Sequence, residues 1–439
     1  MKIVLFILIF FTFLSTKAQE GFIMDESKKI VKVPFQLLSN LIFVDVNVNG
    51  VNLTFLLDTG VAQTVLFTLD DTQTVIFDAV EKLPLKGMGS QAPIDALIAR
   101  NNKLILPHYS DLNHDILIVL NQEVNFSPNV GIPVNGILGY DFFRNYPVEI
   151  DYQSKRIIIR KPSAKKTKML RKYQKFPLKI INEKPYIDVL VKSGKSETLA
   201  KVLVDNGNSD ALWLFANRTN IIEIPSKNIP DFLGRGFSGN IYGKKGRIEY
   251  MKLGKYEFKN IITSFPDSVS TQNINNTIDR LGSIGGEVLR RFYQIFDYKN
   301  NALYLKPNKN FEQEFLYDKS GLELQHEGME WVEERIEVRG HYKGEVFDGT
   351  GEKITNSFAY KFDLKPIYKI FNVRTSSSAE AAGLKVNDQL ISINGKIAYK
   401  MSLDQITKLL RGPEDKIIKL EVLRDGKAIP IRFRLRTML

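Results

Sequence analysis

Two acidic residues occupy matching frames, Leu56-Leu57-Asp58-Thr59-Gly60 and, 147 positions later (58 to 205), Leu203-Val204-Asp205-Asn206-Gly207. Each Asp ends an apolar, strand-like run. A second run follows each, Val65-Leu66-Phe67 after the first and Ala211-Leu212-Trp213-Leu214-Phe215 after the second. The Gly two places on reads as a tight turn whose backbone angles exclude a side chain. Asp-x-Gly alone is common in turns, but two in the same context suggest paired carboxylates that activate a water. Two like charges ~4 Å apart repel by roughly 4 kcal/mol at an effective dielectric of about 20. That separates the two proton affinities by roughly three pKa units, so the pair shares one proton over a broad acidic to near-neutral range. The ionised partner can take a proton from water while the protonated one hydrogen-bonds a carbonyl. Such chemistry needs no metal, nucleophilic side chain or cofactor, and none is expected.

The elements that must position these groups form an internal repeat. The first copy opens with Leu41 to Val48, turns at Asn49-Gly50 and climbs through Val51 to Leu57. Alternating apolar residues around Asn-Gly are a strong hairpin signal. The second copy opens with Tyr186 to Val191, turns through Ser193-Gly194-Lys195 and climbs through Ala200 to Val204. The copies also close alike. Gly136-Ile137-Leu138-Gly139 leads to Val148 to Tyr152 and Arg156 to Ile159, and Gly282-Ser283-Ile284-Gly285 leads to Gln294 to Tyr298 and Ala302 to Leu305. Gly139 and Gly285 are offset by 146 (139 to 285), almost the offset of the acidic pair. Two homologous β-rich lobes are therefore expected over 28–160 and 172–307. A basic linker, 161–171, joins them and carries Lys165-Lys166-Thr167-Lys168 and Arg171-Lys172.

Beyond Pro307 the pattern changes. Gly321-Leu322-Glu323-Leu324 enters a short strand, Ser377 caps a small helix ending near Gly383, and Asn394-Gly395 marks a turn. Ser402 caps a helix from Leu403 to Leu410, and two strands, Ile417 to Leu423 and Ile429 to Leu435, flank Asp425-Gly426. A compact third domain is expected over 315–439.

The first residues differ from all this. Lys2, an apolar stretch from Ile3 to Phe13, and small residues at Thr16 and Ala18 read as a secretory signal over 1–18. An uncleaved anchor is the alternative. The apolar stretch is short for a span, and no later stretch is long enough, so no transmembrane segment is expected after cleavage. The chain has 439 residues and no cysteine, which excludes disulfides and thiol catalysis. Export without disulfides points to a bacterial periplasm or the extracellular space. The net charge of +12 comes from 61 basic and 49 acidic residues in short clusters rather than an organised basic face, so no nucleic-acid partner is expected. His108, His114, His326 and His341 lack metal-ligand spacing and read as surface or loop residues.

Asp58-Thr59-Gly60, Asp205-Asn206-Gly207, the paired closing segments and the stretch from Ala379 to Gly395 resemble the bacterial, secreted retropepsin-like (pepsin/retropepsin-type) aspartic proteases with a C-terminal PDZ domain. The resemblance covers nearly all of the chain after the signal. It implies a mainly β fold, with bilobal, pseudo-two-fold acid-protease β-barrel lobes and a PDZ-like α/β domain. It also implies Asp58 and Asp205 as catalytic residues of an aspartic endopeptidase, with Thr59, Gly60, Asn206 and Gly207 supporting the turns. Gly87, Met88 and Gly89, and Gly236, Phe237 and Gly239, would be flap tips, with ordinary glycine turns as the alternative. Gly321, Leu322, Glu323 and Leu324 resemble the loop whose backbone N–H groups hold a peptide's terminal carboxylate. The long interval 325–370 exceeds a compact PDZ domain, and a structural role for this domain is the alternative. Peptides or proteins would be substrates, and a C-terminal peptide a possible PDZ ligand.

Two departures stand out. The family's second turn carries Thr or Ser where this chain has Asn206, and in the family that hydroxyl helps lock the turns across the dyad. Val61 and Asn208 follow the glycines where a small or hydroxyl residue is usual. The competing reading is an impaired protease that acts as a PDZ-mediated peptide-binding module.

Overall fold

The computed structural model describes residues 21–69, 74–85, 94–119, 125–162, 170–195, 197–236, 239–272, 279–337, 350 and 358–439. The signal segment, most of the linker, and the flap residues Gly87, Met88, Gly89 and Phe237 lie outside these residues. The fold is mainly β, with four sheets among the described residues.

In the first lobe, Leu41–Val48 sends Val44, Val46 and Val48 into the core by period-two alternation. Asn49 (φ 49°) and Gly50 (φ 97°) make its turn, both in the left-handed region that matches strand twist. The returning strand, Val51–Leu57, ends at Asp58. Gly136–Leu138 lies parallel to Phe55–Leu57 and antiparallel to Val65–Leu66. This threading needs close backbone approach, and a Cβ on Gly136 would overlap the Val65 carbonyl oxygen. The second lobe repeats the plan. Lys184–Lys192 pairs with Glu197–Val204, and Arg280–Ile284 runs parallel to the latter and antiparallel to Leu212–Leu214. A Cβ on Gly282 would overlap the Trp213 carbonyl oxygen in the same way.

The closing strands of the copies fuse the lobes. Val148–Asp151 pairs antiparallel with Phe292–Asp297, at Val148 with Phe296 and Ile150 with Gln294. The resulting sheet contains Ile30–Pro34 and Arg156–Arg160 from one lobe, and Gln174–Pro177 and Ala302–Pro307 around the other. One apolar core therefore runs through both lobes, including Phe143, Ile150, Phe292 and Phe296. This limits hinge motion between the two acidic turns.

The third domain has its own core, around Ile370, Leu390, Ile406 and Ile418. Its long interval is a hairpin extension, with Leu322–Glu337 pairing along Phe358–Val373. Ser402 caps the helix Leu403–Leu410 through a capping box with Gln405. Arg374 donates from Nε (2.9 Å) and Nη2 (2.8 Å) to Asp231 of the second lobe. Phe371 packs on Phe232, with ring centroids 5.4 Å apart. The Ser39 amide of the first lobe donates to Asp404 at 3.3 Å. The domain thus touches both lobes.

Candidate active site

The two acidic turns meet with mirrored hydrogen bonds. Asp58 N–H donates to Leu138 O at 3.0 Å and Asp205 N–H to Ile284 O at 2.9 Å, so each threaded strand fixes its turn. Gly60 N–H donates to Asp58 Oδ1 at 2.6 Å, and Gly207 N–H to Asp205 Oδ1 at 3.1 Å. The two carboxyls lie close enough that each shifts the other's ionisation. Neither Gly60 nor Gly207 has a positive φ. The expectation of special backbone angles is thus corrected, because these glycines are required by the opposing carboxyl. A Cβ on Gly60 would lie 2.9 Å from Asp205 Oδ1, and one on Gly207 would overlap the Asp58 carboxyl.

The lock between the turns is half built. Thr59 Oγ1 donates to Val204 O at 2.6 Å and accepts from Asn206 N–H at 3.1 Å. The mirror bonds from residue 206 are missing. Asn206 is fully buried, and both polar atoms of its side-chain amide lack a partner among the described residues.

Burial, then the charge of Asp205, raises the Asp58 carboxyl well above the usual carboxylate range. Burial also raises Asp205, against an opposing pull led by Arg280, with Asp58's hydrogen bond and Lys184 adding to it. The pair titrates as a unit and keeps a shared proton toward neutral pH.

The dyad opens into a cavity of about 510 Å³. On the first-lobe side the wall is apolar, with Leu41, Phe43, Leu56, Val65, Val134 and Ile137. On the second-lobe side Lys184, Arg280, Ser283, Asp210 and Lys245 stand beside the apolar Leu203, Trp213, Leu233 and Ile241. Asp210 accepts from Trp213 Nε1 at 2.9 Å and Ser264 Oγ at 2.7 Å. The far wall belongs to the third domain and presents Glu323, Leu324, Leu403, Thr407 and Arg411. The positions 403, 407 and 411 are four apart, one face of a helix. Burial, with Asp231 next, pushes the Glu323 carboxyl up to about 8.

Gly236 pairs with Gly239 at the end of a hairpin, and Gly234 to Gly236 line the cavity, so this flap position borders the site. At the expected peptide-carboxylate loop, Gly321 (φ 83°) and Ser320 give their amides to Asp318 Oδ1, and Leu322 gives its amide to Ser320 Oγ. The amides of Gly321 and Leu322 are thus engaged within the loop. Leu322 and Leu324 are buried in the domain core. His114 is a correction, because it is buried rather than exposed, between Asp111 Oδ2 and Thr64 Oγ1, each at 2.7 Å. Asp111 is three residues away, but Thr64 lies 50 positions off, and that contact is not visible in local sequence.

Comparison with known proteins agrees with this architecture. Residues 44–142 match a family model described as aspartyl protease, and residues 370–424 one described as PDZ domain. The chain joins an aspartyl protease domain to a PDZ domain. It is also similar to the carboxyl-terminal-processing protease of Synechocystis sp., 38% identical over 63 residues, which is 14% of this chain and 15% of that protein. The carboxy-terminal processing protease CtpA of Bacillus subtilis is 32% identical over 80 residues, 18% of this chain and 16% of that protein. The chain therefore spans only about a sixth of the length of these relatives.

Sequence reasoning missed Lys184, Arg280 and the PDZ wall. A signal for the first two exists in the repeat. Leu41 and Lys184 each follow a turn pair with positive φ, Ser39-Asn40 and Asn182-Glu183, and pair with Leu38 and Ile181 respectively. Val134 and Arg280 each lie two residues before the threaded glycine. Both pairs replace an apolar residue of one copy by a cation in the other.

Proposed function

We propose that the chain is an aspartic-type endopeptidase, in which Asp58 and Asp205 activate a water that attacks a peptide bond. The observation that carries this reading is the meeting of the two turns, each carboxyl oriented by its own glycine amide and threaded strand. The Arg280 charge is the largest influence holding Asp205 toward its ionised form, whereas the charge of Asp205 disfavours ionised Asp58. Asp205 then takes the water's proton, and protonated Asp58 hydrogen-bonds the scissile carbonyl as charge builds on its oxygen. Proton transfer to the leaving nitrogen from the dyad completes cleavage. The cavity wall beyond excludes water from the reacting bond. A signal cut after Ala18 would export the enzyme to a bacterial periplasm or the extracellular space, where peptides or proteins are the substrates. The PDZ domain, as a wall of the same cavity, would contact their chains.

Single replacement of Asp58 or Asp205 by Asn tests this. A peptide-library digest over several pH values should show inhibitor-sensitive cleavage by the wild type and none by either variant, with folding intact by calorimetry. Cleavage that persists in either variant removes the dyad. The second reading, a peptide-binding protein with an impaired dyad, draws on the unpaired Asn206 amide. Binding of library peptides with no inhibitor-sensitive cleavage at any pH would favour it.

A further inference from the structure

We infer that the second-lobe side of the catalytic cavity is a subsite for a substrate carboxylate, held by Lys184 and Arg280, and this rests on the reading of Asp58 and Asp205 as the catalytic pair. The duplicated fold supplies the comparison. Strand register sets Phe43 against Leu56 in one lobe and Tyr186 against Leu203 in the other. Leu41, Phe43 and Val134 of the first lobe thus correspond to Lys184, Tyr186 and Arg280 of the second. Three apolar positions on one side of the dyad have become two cations and a phenol on the other.

Arg280 is only 8% exposed, yet its hydrogen bonds go to neutral acceptors of its own strand, Gly282 O and Ser283 Oγ, both at 3.0 Å. Its guanidinium also lies over the Phe215 ring, 5.2 Å from the centroid. These contacts orient the group and leave its charge unmatched. Among the described residues, neither Arg280 nor Lys184 has a carboxylate in ion-pair contact. Buried charges are ordinarily paired, and the acids whose charge acts on both cations are those of the dyad, which carries one negative charge while it shares a proton. Two cations facing one negative charge leave a positive site beside the scissile bond. Arg218 adds further positive potential at Arg280. A carboxylate from the substrate neutralises this excess, and a guanidinium is suited to hold it in a fixed orientation. The first-lobe wall, by contrast, suits an apolar side chain. The carboxylate can belong to an Asp or Glu side chain or to the substrate's own C-terminus.

Two peptide pairs distinguish these sources in the full chain, one with Glu or Gln beside the scissile bond and one with a free or amidated C-terminus near it. The wild type should prefer the charged member of at least one pair by about ten- to hundredfold in kcat/KM, the range of one charge-assisted hydrogen bond. In Lys184→Met and Arg280→Met that ratio should fall toward one, whatever the absolute rate. Lys184 begins a strand and is partly exposed, so its variant remains informative if Arg280→Met unfolds. Equal rates on both pairs in the wild type, or a preference that survives in both variants, would overturn the inference. If no peptide is cleaved at all, the catalytic reading fails, and fluorescence anisotropy of the same labelled peptides on the Asp58→Asn chain decides the subsite alone. Tighter binding of the charged member, lost in Asp58→Asn/Lys184→Met, supports it, and equal binding overturns it.

Discussion

Threonine at position 206 should complete the lock that Thr59 half builds. Thr59 Oγ1 donates to Val204 O at 2.6 Å and accepts from Asn206 N–H. By the pseudo-two-fold, a hydroxyl at 206 would donate to Leu57 O and accept from Thr59 N–H. The present Asn206 is 0% exposed, with both amide atoms unpaired. Each unsatisfied buried polar group costs about 1–3 kcal/mol. Asn206→Thr removes both and adds one buried hydrogen-bonded hydroxyl, while the shorter, branched side chain repacks at a cost of about 1 kcal/mol. A net gain of about 2 kcal/mol follows, which raises Tm by about 3 °C for the two fused lobes. Calorimetry at pH 5 on wild type, Asn206→Thr and Asn206→Ala reads the effect. Alanine removes the unpaired amide without supplying a hydroxyl, so it should gain less than threonine. A threonine variant no more stable than the parent, or no better than alanine, would refute the half-built lock.

Gly207→Ala should abolish cleavage while the chain still folds, because the new methyl must displace the Asp58 carboxyl; a digest paired with circular dichroism checks this, and retained activity would contradict the contact. Stability should depend on pH in a direction opposite to the usual acidic decline. Asp58, Asp205 and Glu323 rise from ordinary values near 3.8 and 4.5, Glu323 to about 8, so in this window the folded chain holds protons that the unfolded chain releases. Their contribution is whole below the unfolded values and is lost as pH rises toward 8, at about 1.4 kcal/mol per pH unit per proton at most. Denaturant titrations at pH 5, 6.5 and 8 should show the decline, and Asp58→Asn should flatten part of it. Arg374→Met removes the doubly hydrogen-bonded partner of Asp231 at a contact only 6% exposed on both sides, and Lys245 at 3.1 Å keeps part of that charge compensated, so the loss falls below the about 3–5 kcal/mol of a fully orphaned buried charge. Hydrogen exchange should then speed up in the PDZ sheet and spare the fused lobes, and unchanged exchange would show that the ion pair does not hold the domains together.

Much of the site was legible because its signals are local. Asp-x-Gly after an apolar run, Asn-Gly between alternating runs and Ser402 before the periodic run from Leu403 to Leu410 each specify a turn or cap from neighbours in sequence. The repeat made the two turns readable as a pair. Pairing between distant strands was not readable. Val148–Asp151 and Phe292–Asp297 look like any buried strand, and nothing in an apolar run names its partner. The same limit hid the PDZ wall, since Leu403, Thr407 and Arg411 read as one face of a helix without saying what that face meets. His114 looked like a loop residue for the same reason. The glycines of the two acidic turns were recognised, but their cause was misassigned, because a close approach from the other lobe leaves no trace in local sequence.

The two lobes share a fold and differ in charge, and that difference acts on the dyad itself. In a symmetric pair, burial and mutual repulsion raise both carboxyls alike and the proton has no preferred side. Here Arg280 and Lys184 both come from the second lobe. Arg280 is the largest influence opposing burial at Asp205, whereas Asp58 feels the like charge of Asp205 second only to burial. In the proposed mechanism these second-lobe charges favour the shared proton on Asp58, while the pair as a whole titrates as a unit. Removing the charge in Arg280→Met should weaken this bias and raise the acidic limb of the pH–rate profile, because ionising Asp205 becomes harder. If the acidic limb stays where it was, or moves down, Arg280 does not set the ionisation of the dyad, and the assignment of Asp205 as the base loses its electrostatic support.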